Sequence, residues 1–464
     1  MSKNGVSEEE IFHLKNQIKG NVILPENNDY DKSREIWNGL FDRHPSVIIK
    51  CRNSEDVKNS INFVRTHDIP VSVKSGGHDY SGKSVCEDGI VIDLSELKKV
   101  EINPDEKRAR VEAGVLIGEF DKKAQEYGLA STGATVSTVG IAGFTLGGGS
   151  GYLARKHGLS IDNLISVELV TSNGEEVTAS ENENPDLFWA VRGGGGNFGI
   201  VTSFEFQLHT TGPEIMAGQV VYPFDQANEA IRFYHSWLTS ASNELTCYLF
   251  FLKVPPLDIF PAKYHGKPAI SFVVGHIGSL EQARKEIKPL MEFGNPILQA
   301  VQPMPYTSAQ TMFDEGLVKG NRWYSKAHYL DTISDDLIGV ILSNTEDVPG
   351  ELSVVYLEPM GGAINRIDQN ATAFPHRSAA YSIHILTGWS DADKDEPVLS
   401  WSRDFYNELK PFSTGGVYVN LLGHDESDRV KNAYGANFQK LREIKKKWDP
   451  GNLFRQNHNI TPAT

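Results

Sequence analysis

The sequence predicts an α+β fold of two or three lobes. Three observations carry that expectation. The chain opens with a strand–helix–strand pattern; three glycine-rich tracts, each beside a strand, crowd the first 208 residues; and after about Leu208 strands alternate with helices and few glycines interrupt them.

The first patterned unit begins near Pro45. Val47-Ile48-Ile49 reads as a short buried strand. Ser54 is expected to cap a helix that carries Val57, Ile61 and Val64 on one face. Pro70-Val71-Ser72-Val73 starts a second strand, giving a β-α-β unit. The first tract, Ser75 to Gly82, follows at once, and then the strand Gly89 to Asp93. A helix near Gly118 to Tyr127 leads to the second tract, Val139 to Gly151. Ser166 to Thr171 reads as a strand ending in a Ser172-Asn173-Gly174 turn, and the third tract, Arg192 to Val201, precedes another strand. Beyond Leu208, strands are expected at Met216–Val221, Thr246–Leu252, Ile270–Val274, Leu352–Leu357 and Tyr381–Leu386. Helices such as Ser279 to Phe293 lie between them, so this region reads as a sheet with helices on one side. Phe438, Leu441, Ile444 and Trp448 recur at helical spacing before Asp449-Pro450-Gly451-Asn452 stops the helix.

Glycine admits backbone conformations closed to other residues and lets a ligand approach main-chain N–H groups, which in succession form anion-binding nests. One tract could be a tight turn in a β-rich fold. Three together point to a dinucleotide pyrophosphate. Neither GxxxxGK[ST] nor an early GxGxxG with its distant acid is present, so the site is neither a P-loop nor a Rossmann crevice. His78 lies inside the first tract. A lone histidine is ordinarily structural or solvated; here an imidazole nitrogen could also bond covalently to a flavin methyl carbon, anchoring the cofactor and tuning its potential.

A net charge of −15 argues against a nucleic-acid or anionic-membrane partner, because such binding needs clustered Lys and Arg. Cys51, Cys86 and Cys247 are far apart in sequence and form no CxxC pair, and no metal site is expected. The first twenty residues lack the apolar run of a secretory signal, and no run of about 18 apolar residues occurs, so a cytoplasmic protein is expected.

Four segments together resemble the berberine bridge enzyme-like FAD-linked oxidases: SGGHDYSG (Ser75 to Gly82), VGIAGFTLGGGSG (Val139 to Gly151), LFWAVRGGGGNFGIVT (Leu187 to Thr202) and WDPGNLFRQNHNI (Trp448 to Ile460). Their order and spacing match from roughly Trp37 to the C-terminus. The resemblance implies a vanillyl-alcohol-oxidase-type FAD-binding domain formed by residues 1–208 and completed by 411–464. Residues 209–410 would form an α+β substrate domain, an antiparallel sheet covered by helices. It implies that FAD is attached through His78, that Ser75, Gly76, Gly77, Asp79, Tyr80, Ser81 and Gly82 wrap the pyrophosphate, and that Ser137, Thr138, Gly140, Gly143, Gly147 and Gly148 line the cofactor's second side. Asn163 would lie near the ring system, and Gly199 and Val201 near the adenosine half. Tyr418, Asn420, Asn457 and Asn459 would face the isoalloxazine.

The chain also departs from the family. Where many members carry a second covalent link through cysteine, this sequence has Val136, so a single link through His78 is expected and carbohydrate oxidation becomes the less natural reading. Phe144 stands at the position that gates oxygen in the family; as core packing under the ring it would have a different role. On the expected strand at 352–357 and just beyond it, Val354, Tyr356 and Glu358 share a face. Tyr356, Glu358 and Tyr418 are the candidates for the base that takes a proton while hydride leaves an alcohol or amine carbon, and a tyrosine would need a lowered pKa for that task. Trp323, Tyr324, Tyr329 and His384 are further candidates for the pocket. The expected activity is oxidation of a small, secondary-metabolite-like or heterocyclic molecule by a monomer or homodimer, with oxygen as acceptor. A dehydrogenase using another acceptor, a carbohydrate oxidase, and a flavin-loaded structural or binding protein are the alternatives.

Overall fold

The computed structural model describes residues 6–464. Met1 to Gly5, the start of the segment read for a signal sequence, lie outside the described residues. The architecture is α+β. The four-stranded sheet near the N-terminus runs Asn21–Ile23, Val47–Lys50, Ile90–Asp93, Val71–Lys74. The last three strands are parallel. The two strands of the β-α-β unit are therefore not neighbours, because Ile90–Asp93 slots between them. Its residues Ile90 to Ile92 are buried, as expected for a parallel strand covered on both faces. The intervening helix spans Ser54–His67, and its cap is Asn53 rather than Ser54: the Asn53 side chain accepts from the Asp56 N–H.

A five-stranded antiparallel sheet follows, in the order Val100–Asn103, Arg108–Glu112, Ile200–Gln207, Leu164–Val170, Glu176–Ser180. The C-terminal helix Phe438–Trp448 packs on this part of the molecule: Leu441, Ile444, Phe454 and Ile460 share one apolar core with Ile92, Val111, Leu146 and Phe198. Lys445 fastens the junction. Fully buried, its ammonium donates to Asp449 Oδ2 at 2.7 Å, to the Asn197 carbonyl at 2.7 Å and to the Phe454 carbonyl at 3.0 Å.

The region between these segments forms a seven-stranded antiparallel sheet, ordered Leu298–Pro305, Glu214–Pro223, Pro268–His276, Leu245–Lys253, Val354–Pro359, Tyr381–Trp389, Arg322–Leu330. The two outermost strands were not expected from sequence. Leu298–Pro305 buries none of its residues fully and carries Pro303 and Pro305, which an edge strand tolerates. Helices Ala227–Ser240, Leu280–Met291, Asp335–Thr345 and Asp395–Leu409 cover one face, packing Ile231, Ile287, Leu337 and Phe405 against Phe272, Val355, Leu357 and Ile383. Strand alternation then turns Val354, Tyr356 and Glu358 to the opposite face, toward the glycine-rich loops.

Candidate active site

Between the glycine tracts and the uncovered sheet face lies a cavity of about 690 Å³, within the range of cofactor and substrate sites. Its first wall is the loop after Val71–Lys74. The strand end is held by Lys74, whose ammonium lies 2.9 Å from buried Asp93 Oδ2. Gly76 and Gly140 touch backbone to backbone: a Cβ on Gly76 would sit 2.5 Å from the Gly140 nitrogen, so the first two tracts meet where only glycine fits. Gly77 takes φ +64°, turning the chain so that His78 opens onto the cavity.

The His78 imidazole stacks on Trp37, with ring centres 4.1 Å apart and planes 18° from parallel. Trp37 stacks in turn on Trp323 at 4.9 Å. His78 Nε2 is buried without a hydrogen-bond partner. Burial lowers the imidazole pKa to about 4, so the ring is neutral near pH 7 and keeps a nitrogen lone pair for bond formation. Asp79 shapes the loop from within: its carboxylate accepts from the Ser81 N–H at 2.9 Å, the Ser81 hydroxyl at 2.8 Å, the Ser84 N–H at 3.2 Å and the Lys83 N–H.

Across the cavity, Gly143 and Gly196 leave their backbones open, since a Cβ on either would meet nothing within 4 Å. Asn420 Nδ2 donates to the Gly143 carbonyl at 3.1 Å and to Tyr418 Oη at 3.0 Å. Tyr418 Oη also accepts from the Gly149 N–H at 2.9 Å. With two donors on its oxygen, the phenol's own proton is free to point at a ligand. Phe144 lines the cavity and its ring covers Gly149. No cysteine lines the cavity wall; Val136 does.

The sheet wall presents Glu358, buried at 8% exposure, with His384 Nε2 3.1 Å from its Oε2, close enough for an ion pair although off the hydrogen-bonding line. Tyr356 is sandwiched between Phe250 at 4.9 Å and His384 at 4.2 Å. Burial raises the phenol pKa of both Tyr356 and Tyr418, the direction opposite to what a tyrosine base requires.

Ser75, Gly76, Gly77, His78, Asp79, Tyr80, Ser81, Gly140, Gly143, Gly199, Val201, Tyr356, Glu358, Tyr418, Asn420 and Asn457 all stand on this wall. Other expected residues do not. Gly82 makes room for the Phe41 ring, Gly147 for the Asn420 side chain, and Gly148 packs against Phe374 and Tyr418. Ser137 donates from its N–H (2.9 Å) and hydroxyl (2.5 Å) to Asp314, latching two loops, and Thr138 is exposed. Asn163 is buried away from the cavity, its amide bonded to the His157 and Leu159 carbonyls and to His209. Asn459 lies off the wall with its Oδ1 buried and unpartnered. Of the four further candidates, only His384 lines the cavity; Trp323 supports Trp37, Tyr324 bonds Asp425 at 2.7 Å, and Tyr329 packs against His376.

Sequence reasoning missed Lys83 and His458. Lys83 brings a cation to the cavity wall, and burial lowers its pKa. His458 returns from the C-terminus to within 3.5 Å of the Ser81 hydroxyl, and burial lowers its pKa to about 4. A lysine just past a phosphate-type loop was a visible signal; the closure by His458 across 377 positions was not. Open glycine backbone, a nearby cation, the unpartnered His78 Nε2 and the unpartnered Asn457 Oδ1 fit a flavin dinucleotide.

Comparison with known proteins agrees with this geometry. Residues 45–180 match the FAD binding domain family and residues 417–461 the berberine and berberine like family. An FAD-linked oxidoreductase of Bacillus subtilis (strain 168) is 30% identical over 97% of this chain and 98% of its own length. The (R)-6-hydroxynicotine oxidase of Paenarthrobacter nicotinovorans is 29% identical over 96% and 97%. The crystal structure of 6-hydroxy-D-nicotine oxidase from Arthrobacter nicotinovorans superposes with a TM-score of 0.87 at 28% identity, covering 96% of this chain and 98% of that one. The chain belongs to the berberine bridge enzyme-like FAD-linked oxidoreductases, and its α+β fold is the vanillyl-alcohol-oxidase-type FAD-binding fold. It is therefore a flavoenzyme that binds FAD.

Proposed function

We propose that this enzyme is an oxidase that carries FAD on a single covalent bond to His78 and oxidises the alcohol or amine carbon of a small, largely apolar organic molecule. The observation that carries the reading is His78 Nε2: a neutral imidazole nitrogen, buried and unpartnered, held by Trp37 at the glycine-lined end of the cavity. Lys83 and the open backbones of Gly143 and Gly196 would hold the cofactor's phosphates and ring edges. Bound there, FAD supplies a two-electron hydride acceptor that dioxygen restores with release of hydrogen peroxide.

The protein's own part is proton handling and orientation. Glu358 takes the O–H or N–H proton of the substrate, and His384 beside it steadies the carboxylate in the orientation that receives the proton. Tyr418, whose oxygen is engaged by Gly149 and Asn420, donates its proton toward the substrate heteroatom and fixes its approach. Tyr356 forms an aromatic floor between Phe250 and His384. Val136, in place of a second attachment point, favours the single link. Aromatic and aliphatic residues from Phe250 to Leu386 favour an apolar substrate over a sugar.

Denaturing electrophoresis with in-gel flavin fluorescence tests the central claim. A fluorescent wild-type band that disappears in His78→Ala is expected. A folded, flavin-containing wild type with no fluorescent band would remove the covalent link.

A further inference from the structure

The cavity extends well beyond the residues that the oxidation uses. Its positions on the strand Val354–Pro359 run from Glu358 through Tyr356 to Val354. Four residue steps along the strand separate the first from the last, roughly 13 Å. Along that row the side chains pass from a carboxylate through aromatic rings to aliphatic groups, while Gln219, Ser271, Lys253 and Glu351 add polar groups to the same cavity wall. Tyr356 is flanked in register by Phe250 and His384, and Val354 pairs with Leu386. Past that row, the loop after Leu245–Lys253 carries Leu257 and Ile259 on the cavity wall, and these are 51% and 58% exposed. One such side chain in water is unremarkable. Two on one loop, on the wall of the cavity that also holds the buried Glu358 carboxylate, form an apolar contact surface.

We infer that this outer half is a second binding subsite, and that it takes an apolar tail, alkyl or aryl, carried by the substrate whose polar head meets Glu358. Leu257 and Ile259 close over the far end of the tail. The occupant is the substrate itself, because the cavity is continuous with the Glu358 end. The inference rests on the reading of the Glu358 end as the oxidising centre.

The test is a binding series that needs no turnover. Dissociation constants of the holoenzyme for 4-n-alkylphenols, from ethyl to heptyl, are read from the perturbation of the flavin absorbance. Each methylene buried should tighten binding by up to about fourfold. In the double variant Leu257→Ser/Ile259→Ser, two exposed positions that leave the core intact, the slope should flatten for the longer homologues. A flat series in the wild type, no binding of any homologue, or an identical slope in the double variant would each overturn the subsite. Should Glu358→Gln leave turnover intact while the slope persists, the reading of the oxidising centre fails and the tail subsite stands.

Discussion

Asp121 offers a quantitative test of how the two parts of the molecule are joined. It sits fully buried on the helix Ile117–Gln125, and Gln310 Nε2 donates to its Oδ2 at 2.9 Å. The same Gln310 amide donates to the Ala134 carbonyl at 2.9 Å, so the pair ties the loop before the second glycine tract to the segment that carries Met312 and Phe313. Burial raises the Asp121 pKa from 3.8 to about 7. A carboxyl raised in the folded state favours folding while it is protonated in both states. That contribution is lost as pH climbs from the unfolded value through the folded one. Over that interval the loss comes to about 4 kcal/mol, at 1.36 kcal/mol for each tenfold change in proton activity. Asp121→Asn keeps an acceptor for Gln310 and removes the titration. The variant should equal wild type in thermal stability near pH 4 and exceed it above pH 7, by up to about 4 kcal/mol. Differential scanning fluorimetry from pH 4 to 8.5, with urea midpoints at the two extremes, reads this directly. A variant no more stable than wild type at pH 8 would refute the buried, weakly compensated carboxylate.

Three further outcomes follow from geometry already described. Lys445→Met strands Asp449 in the core and should cost about 3–5 kcal/mol in urea denaturation, with flavin fluorescence rising, as water reaches the cofactor, earlier in the same titration. Gly76→Ala drives a Cβ into the Gly140 backbone, and should give protein largely free of flavin by absorbance after gel filtration. Glu358→Gln should retain flavin yet lower kcat by about 10²–10⁴; full activity in steady-state assays with any accepted alcohol or amine would remove Glu358 from proton transfer.

The parts of this fold that were legible in the sequence are those with local causes. Clustered glycines mark backbone that must lie open or touch other backbone, and Gly76, Gly140, Gly143 and Gly196 do one or the other. Alternation alone put Val354, Tyr356 and Glu358 on one face. What escaped was set by pairing at a distance. His384 was expected in the pocket, but its contacts with Tyr356 and Glu358 arise only from the register of adjacent strands. The edge strand Leu298–Pro305 has no buried stripe to reveal it. Asn163 is consumed by local carbonyls and His209, a competition between side chain and backbone that motif matching cannot see. Burial raises the phenol pKa of the two tyrosines expected as bases, a shift set by packing that no local motif reveals.

The meeting of Ser81 with His458, and of Lys445 with Asn197, closes the cofactor site with stretches of chain 377 and 248 positions apart. The state of the flavin therefore reports on the docking of the 438–460 segment as much as on the glycine loops. Loosening that segment should let water reach the flavin before the rest of the fold gives way.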